Sequence, residues 1–345
     1  MIRLEKVQKY VLIQLTKDIN SITDVRKKIL VKNYKKPFKL HLPDDMPISE
    51  ANLEYKWQYV SKNEERNTFV QLKSEIISIK AIANLEYSKR IKAQDAFGNY
   101  LPKEERTGSE NVDVQFISFK NRWYCIAFTN DEAPIDRIKK LIGEHYIADL
   151  SSEYQIDSDF LHWIFYRYIT KRKELSDNIS LSNINEFSGT IVNDENKFRG
   201  ISDQTADLII TRAFIANQGS LATTNVTLKM LEGMAEFYLN KVSNKADLKI
   251  RVGKKSTITP ILSSDDLEYT LPIYIYFYLI PVMMKFYKDD QKDFHERDHD
   301  FRQQISLEVI RSIMIKNDIT LDKINNLITR EVKENINQME QKSTK

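Results

Sequence analysis

A chain of 345 residues with 41% hydrophobic and 29% charged side chains can bury a sizeable core, and its length suits about two domains. That composition excludes an intrinsically disordered polymer, and a net charge of +3 excludes any argument from bulk charge to a polyanionic partner. A single cysteine, Cys125 in the apolar run Arg122–Phe128, excludes an internal disulfide and fits a reducing compartment, the thiol being read as a small core residue.

The amino-terminal residues Met1–Val7 lack the apolar stretch and small-residue cleavage site of a secretion signal. The longest apolar run, Leu271–Met284, has fourteen residues and includes Pro272 and Pro281, short of the roughly twenty a membrane span needs. It is expected to be a buried helix, in a cytoplasmic protein without membrane contact.

In chain order, the spacing of Leu4, Val7, Val11, Leu15 and Ile19 predicts a helix over 2–19. Through residue 40 there are eleven Lys and Arg against three acids, so positive charge is segregated towards the start of the chain. Lys27, Lys28, Lys32, Lys35, Lys36 and Lys39, with Tyr34 and Phe38 among them, are the candidate phosphate contacts. Pro37, Pro43 and Pro47 mark a connector.

Alternating Ile77, Ile79 and Ala81 predict a strand within Thr68–Ala83, and the turn formers and charges of 95–110 an exposed loop. Val112–Phe119 and Arg122–Phe128 read as a hairpin around Lys120-Asn121, since Asn tolerates the left-handed conformation of a tight turn. Pro134 opens a helix over Ile135–His145. Ala148–Asp157 is the expected boundary between two lobes. Beyond it, Asp157 or Ser158 caps a helix running to about Leu175, whose far end carries Arg167, Lys171 and Arg172 as a second basic patch.

A second hairpin is expected from Ser188–Val192 and Lys197–Ile201, and a helix over Asp203–Asn217 ending at Gln218-Gly219. Val226–Leu239 reads as a strand pair bent at Gly233, and Asp247–Val252 as a strand. Three helices complete the chain, around 271–288, over Arg302–Lys316, and over Leu321–Met339, where Thr320 caps a stripe of Leu321, Ile324, Ile328, Val332, Ile336 and Met339. The expected fold class is α+β in two lobes, 1–150 and 157–345, each with antiparallel hairpins and packed helices, the chain ending in a helical region.

One named motif is present: His295-Glu-Arg-Asp-His299 matches H-E-x-x-H, in which two histidines one helical turn apart ligate zinc while the glutamate activates water. Zinc peptidases of this kind keep the helix buried, with uncharged residues between the ligands. Here Arg297 and Asp298 occupy those positions and the flanks are charged; of the downstream glutamates that could be a third ligand Glu308 lies too close and Glu331 is conceivable, and the segment reads as a solvated linker between helices. His295, Asp298, His299 and Asp300 remain a looser, adventitious divalent-metal set.

Asp247-Leu-Lys249 and Glu54-Tyr-Lys56 match the Asp/Glu-x-Lys triplet of metal-dependent nucleases, a pattern that arises freely at this charge density. Eight glycines, no two adjacent, leave no phosphate-cradling loop. No nucleophile elbow accompanies His41, His145 or His162.

The expected function is therefore non-catalytic, sequence-nonspecific binding of DNA or RNA within a larger cytoplasmic assembly, lysines acting as point charges. The Lys-, Asn- and Ile-rich character suits an accessory factor of a low-GC bacterium, for instance in phage defence. Two rivals stand beside it: a protein-interaction or self-association module acting through 302–339, and a metal-dependent hydrolase using His295, Glu296 and His299. No cofactor and no metal are expected.

Overall fold

A computed structural model describes residues 4, 6–38, 46–69, 72, 74–90, 93–191, 196–203, 205–242, 245–258, 267–326 and 329. The strands of the first half are β1 (Gln8–Leu15), β2 (Asn33–Pro37), β3 (Asn52–Val60), β4 (Glu65–Phe69), β5 (Ser74–Ser88), β6 (Thr107–Phe119), β7 (Arg122–Ala127) and β8 (Ile147–Ala148). Those of the second half are β9 (Glu174–Ser176), β10 (Ile179–Thr190), β11 (Lys197–Ile201), β12 (Ser220–Met230), β13 (Gly233–Asn240), β14 (Asp247–Val252) and β15 (Thr257–Ile258). The main helices are α1 (Glu132–Ile142), α2 (Ser158–Ile169), α3 (Ile209–Ala216) and α4 (Leu267–Lys316).

All the paired strands are antiparallel, in the order β11-β10-β12-β13-β14-β1-β7-β6-β5-β3-β2, with β9, β15, β8 and β4 added beside β10, β13, β1 and β5. The fold is α+β, a large antiparallel sheet with helices against it. Its centre is β1, the first strand in the chain. β1 pairs on one edge with β14, from Gln8↔Val252 to Ile13↔Asp247, and on the other with β7, from Val11↔Ala127 to Gln14↔Tyr124. The sheet thus runs unbroken past the 148–157 junction.

This overturns the helix expected over 2–19. The i, i+3, i+7 spacing omits Tyr10, Leu12 and Ile13, which a helix would scatter around its circumference. Tyr10, Val11, Leu12 and Ile13 are all fully buried, and a strand covered on both faces reads as a continuous apolar run. Tyr10 and Leu12 face one core, with Phe119, Tyr124 and Ile126 on neighbouring strands and the apolar faces of α2 and α4 above. Val11, Ile13 and Leu15 face the other, with Trp123, Cys125, Val25 and Ile29 and the Ile135, Ile138 and Leu141 side of α1. Helices cover the two halves of the sheet from opposite sides, and β1 is common to both.

Most of the remaining expectations are met. The β6–β7 hairpin turns at Lys120 and Asn121, whose φ values of 49° and 60° both lie in the left-handed region that a two-residue hairpin loop requires. The side chain of Asp157 accepts from the Phe160 amide at 2.7 Å and caps α2, which ends at Ile169 because Lys171 turns left-handed at φ 61°. β10 and β11 pair through Glu186–Thr190 and 197–201, with residues 192–195 of that turn outside the described part. β12 and β13 form the strand pair hinged before Gly233. The 95–110 loop is shorter than expected: a helical turn, Lys103–Arg106, leads into β6 at Thr107.

The larger change lies at the end of the chain. The helices expected at 271–288 and 302–316 are one helix, α4, which passes through a π-helical segment at Ile275–Leu279 just before Pro281. The supposed linker is helical because Phe294, Phe301 and Ile305 bury on its inner side. Outside, Lys292–Glu296, Asp293–Arg297 and Asp298–Arg302 pair one turn apart. α4 is long and apolar enough to cross a membrane, but 67% of its apolar window is buried inside the fold. Phe277 meets Phe119 and Tyr124 at ring-centroid distances of 4.9 and 5.1 Å.

Two substitutions test this packing by denaturant unfolding. Leu12→Ala removes a fully buried side chain from the shared strand and lowers stability by about 2–5 kcal/mol, whereas Lys9→Ala, at the exposed position nearby, changes stability by about 0.5 kcal/mol or less. At the β6–β7 turn, Asn121→Gly is tolerated and Asn121→Val costs about 1–2 kcal/mol, because a β-branched residue is strained at positive φ.

Candidate functional site

The chain leaves β1 at Leu15 on the α1 side of the sheet and closes a compact turn. The Ser21 hydroxyl caps it by accepting from the Asp24 amide at 3.1 Å. A helical turn, Ile22–Asp24, runs into a π-helix, Val25–Ile29, closed by Leu30 N–H donating to Val25 O at 2.9 Å. Val25 and Ile29 point into the core, so the intervening Arg26, Lys27 and Lys28 are turned outwards. β2 then adds to β3 at the end of the sheet, where it is an edge strand.

The six candidate lysines have different fates. Lys27 is exposed and has no carboxylate partner among the described residues. Lys28 is held: its ammonium pairs with Asp24 at 2.7 Å and donates to Asp18 O at 2.8 Å. Lys32 donates to Ile142 O at 2.9 Å, the terminal carbonyl of α1, and lies 4.3 Å from the Tyr146 ring centroid. Burial there pulls its pKa down from the ordinary lysine value. Lys35 is exposed on the edge strand, in a shallow recess with Ser49, Asn52, Glu54 and Lys103. Lys36 is half-buried on the opposite face of β2, and Lys39 lies outside the described residues.

The structure adds residues that the run of lysines does not show. A cleft of about 520 Å³ opens between β2 and the end of α1, lined by Lys32, Asn33, Tyr34, Lys140, Glu144 and His145 among others. Gly143 shapes its wall: it ends α1 at φ 99°, and a Cβ there would stand 2.5 Å from the Lys32 ammonium. Lys140, like Lys27, has no carboxylate partner among the described residues. The cleft therefore offers two ammonium groups, an imidazole, a carboxamide and a phenol against one carboxylate. Such a set suits an anionic group, met by point charges rather than by a bidentate fork. The sequence trace of this cleft is slight: Lys139-Lys140 in the last turn of a helix, then Gly143 and His145.

The second patch is mostly engaged within the fold. Arg167 is buried, 8% exposed, with its guanidinium on Asp290 at 3.4 Å and on Glu174 O at 2.6 Å, above the Trp163 and Phe286 rings. Arg172 pairs with Asp293 at 3.1 Å and donates to the Tyr166 hydroxyl at 3.2 Å. Both acids belong to α4, so these arginines stitch α2 and the strand after it to the long helix. Arg167 has no free face for a phosphate. Lys171 alone of the three is exposed. The helical spacing that makes a row of cations in the sequence misses the acids that fold over it.

His295, Glu296 and His299 are on a helix, as the zinc motif demands, but on its solvent side. Glu296 faces Lys292 at 3.9 Å and the His295 ring lies 3.5 Å from the Gln291 amide nitrogen. No group of three or more His, Cys, Asp or Glu is gathered among the described residues in a way that could hold a metal. Among the described residues the geometry therefore supplies no third ligand for the pair, and Glu331 lies outside them.

The Lys28–Asp24 contact makes a titration prediction. The Lys28 ammonium, and after it the Ser21 hydroxyl, hold the Asp24 carboxyl down at about 2. A carboxyl depressed in the folded state stabilises above its unfolded value, near 3.8, and that contribution is lost as pH falls through about 2. Carboxyl-carbon NMR should place the Asp24 midpoint near 2, and Lys28→Met should move it up into the ordinary Asp range. No protein-family model matches this chain, and no curated protein matches its sequence, so its geometry carries the functional reading.

Proposed function

We propose that the chain binds nucleic acid through its phosphate backbone, without reading sequence and without catalysis, as a component of a larger cytoplasmic assembly. The supporting observation is the cationic cleft at the end of α1, where Lys32 and Lys140 converge beside the lysine-bearing edge strand with one carboxylate nearby. Lys27 and Lys35 extend the cationic character along the same stretch of chain, each exposed. Tyr34 and His145 give the cleft flat faces on which an unpaired base can stack.

Lysine dominates, so affinity comes from counterion release and falls steeply with salt. The single, fully buried cysteine is compatible with a reducing cytoplasm, and burial holds its thiol far above the ordinary range and out of redox chemistry. Service in bacterial phage defence is the setting that the Lys-, Asn- and Ile-rich composition suits.

The test is fluorescence anisotropy with unrelated DNA and RNA oligonucleotides across a salt series. Lys27→Glu, Lys35→Glu and Lys140→Glu together should weaken binding about 10-fold or more at low salt. They should also flatten the plot of log K against log salt by about 0.9 for each phosphate no longer neutralised. Arg172→Ala should leave both unchanged, since that guanidinium is committed to Asp293 and Tyr166. Absence of binding at low salt, or binding indifferent to the triple reversal, contradicts the proposal.

A further inference from the structure

The helix expected over Leu321–Met339 is described only at 321–326 and 329, and Ile328, Val332, Ile336 and Met339 lie outside the described residues. The cleft between β2 and the end of α1 is described throughout, and its charge is gathered at one place.

Lys32 is the fixed point of that cleft. Its ammonium donates to Ile142 O at 2.9 Å, on the last carbonyls of α1 where the helix carries partial negative charge, and stands 4.3 Å from the Tyr146 ring centroid. An ammonium has three protons, so donors remain for a ligand. Burial pulls the Lys32 pKa down, and no carboxylate pairs with this side chain among the described residues. A partly desolvated cation without a counter-ion is stabilised by an anion brought to it.

His145 stands beside it. A Cβ on Gly143 would lie 2.5 Å from Lys32 Nζ, 3.0 Å from His145 Cε1 and 3.4 Å from His145 Nδ1. The ammonium and the imidazole nitrogen are therefore no more than about 6 Å apart, and the point that a side chain at 143 would fill is open to both. Lys140 lines the same cleft, half-buried and without a carboxylate partner among the described residues, whereas its neighbour Lys139 is paired with Asp247. Glu144, the one carboxylate of the lining, is exposed.

The middle of a strand is followed by cations spread along a groove. Here Lys27 and Lys35 stay exposed outside the cleft, and the cations within it converge on one spot. An internal phosphodiester brings a single negative charge, whereas a phosphomonoester brings about 1.5–2 at neutral pH. Two ammonium groups, with the His145 ring and the Asn33 carboxamide as further donors, match the monoester. The aromatic rings of the lining are held from behind: Tyr34 stacks on Tyr55 at 5.6 Å between centroids, and His145 lies 4.0 Å from Tyr146. The cleft's volume of about 520 Å³ has room for one nucleotide and none for a length of duplex.

We propose that this cleft takes the phosphorylated end of a single strand, with the terminal phosphomonoester among Lys32, Lys140 and His145 and the terminal base against Tyr34. The inference rests on the nucleic-acid reading and adds which part of the strand is held.

Competition anisotropy on the full chain at low salt tests it, with one single-stranded sequence carrying a 5′-phosphate, a 3′-phosphate, or hydroxyls at both ends. One phosphorylated form binds about 10-fold or more tightly than the hydroxyl-ended strand. Lys140→Gln reduces that ratio to about 2-fold or less with the thermal midpoint unchanged, while Lys27→Gln, outside the cleft, weakens both strands alike and keeps the ratio. Equal affinity for all three strands overturns the inference and leaves the nucleic-acid reading standing, whereas no binding of any strand contradicts both. A ratio untouched by Lys140→Gln places the strand end elsewhere and overturns it. So does a nucleoside monophosphate or inorganic phosphate that displaces the phosphorylated strand at equal concentration, since the cleft would then serve a free small anion.

Discussion

Strand β1 is the constraint on which the rest depends. It is hydrogen-bonded along both edges, to β14 and to β7, and is buried on both faces over Tyr10–Ile13. Each of those side chains contributes on the order of 1.5–3 kcal/mol by leaving water. Their alternation divides that gain between two cores, as it does on the neighbouring β7 and β6. The partners are far apart in sequence: residues near 125 close one edge and residues near 250 the other. The first strand made is therefore completed only when most of the chain exists, an arrangement with long loops to close and slow folding to expect.

The same strand decides where the charge goes. Leaving β1 on the α1 side, the chain has to turn tightly, and Val25 and Ile29 anchor that turn in the core. The cations between and after them are then sorted by what they meet. Lys28 finds Asp24, Lys32 finds the end of the α1 backbone, and Lys9, within β1 itself, finds Asp131 at 3.2 Å. A segment with eleven basic residues against three acids thus does not make one uniform surface. Lys32, joined by Lys140 from a different element, lines a cleft, while Lys27 and Lys35 stay exposed outside it.

Much of the fold is legible in the sequence wherever local chemistry decides it. Lys120-Asn121 announces a two-residue turn because few residue pairs tolerate two left-handed positions in a row, and Asp157 announces a helix start because its carboxylate satisfies an otherwise orphaned amide. A helical template misreads β1 because it asks only that some residues recur at three and four. The run Tyr-Val-Leu-Ile at 10–13 fits a strand buried on both faces just as well, and only its two neighbours settle the matter. The 289–300 segment resembles a linker because its charges outnumber its apolar residues. Two phenylalanines seven positions apart, Phe294 and Phe301, suffice to hold it as helix when the other side is wet. At the candidate site Lys27, Lys32 and Lys35 are within reach of sequence reasoning, and Lys140 is not, because nothing local says that the end of α1 returns to β2. Arg167 and Arg172 fail as a patch for the matching reason: Asp290 and Asp293, more than a hundred residues later, are invisible to helical spacing.

The long helix α4 completes the same logic. Its inner face seals one core, its acids neutralise the arginines of α2 and the segment after it, and its end leaves the fold still apolar. All of this presupposes the sheet beneath it, and the sheet presupposes β1. Native-state hydrogen exchange on the amides of Tyr10–Ile13 tests that most directly. If β1 joins the two halves as described, these amides exchange only through global unfolding, at least as slowly as those of β7 and β14. Exchange in β1 that is fast while β7 and β14 stay protected would contradict the account.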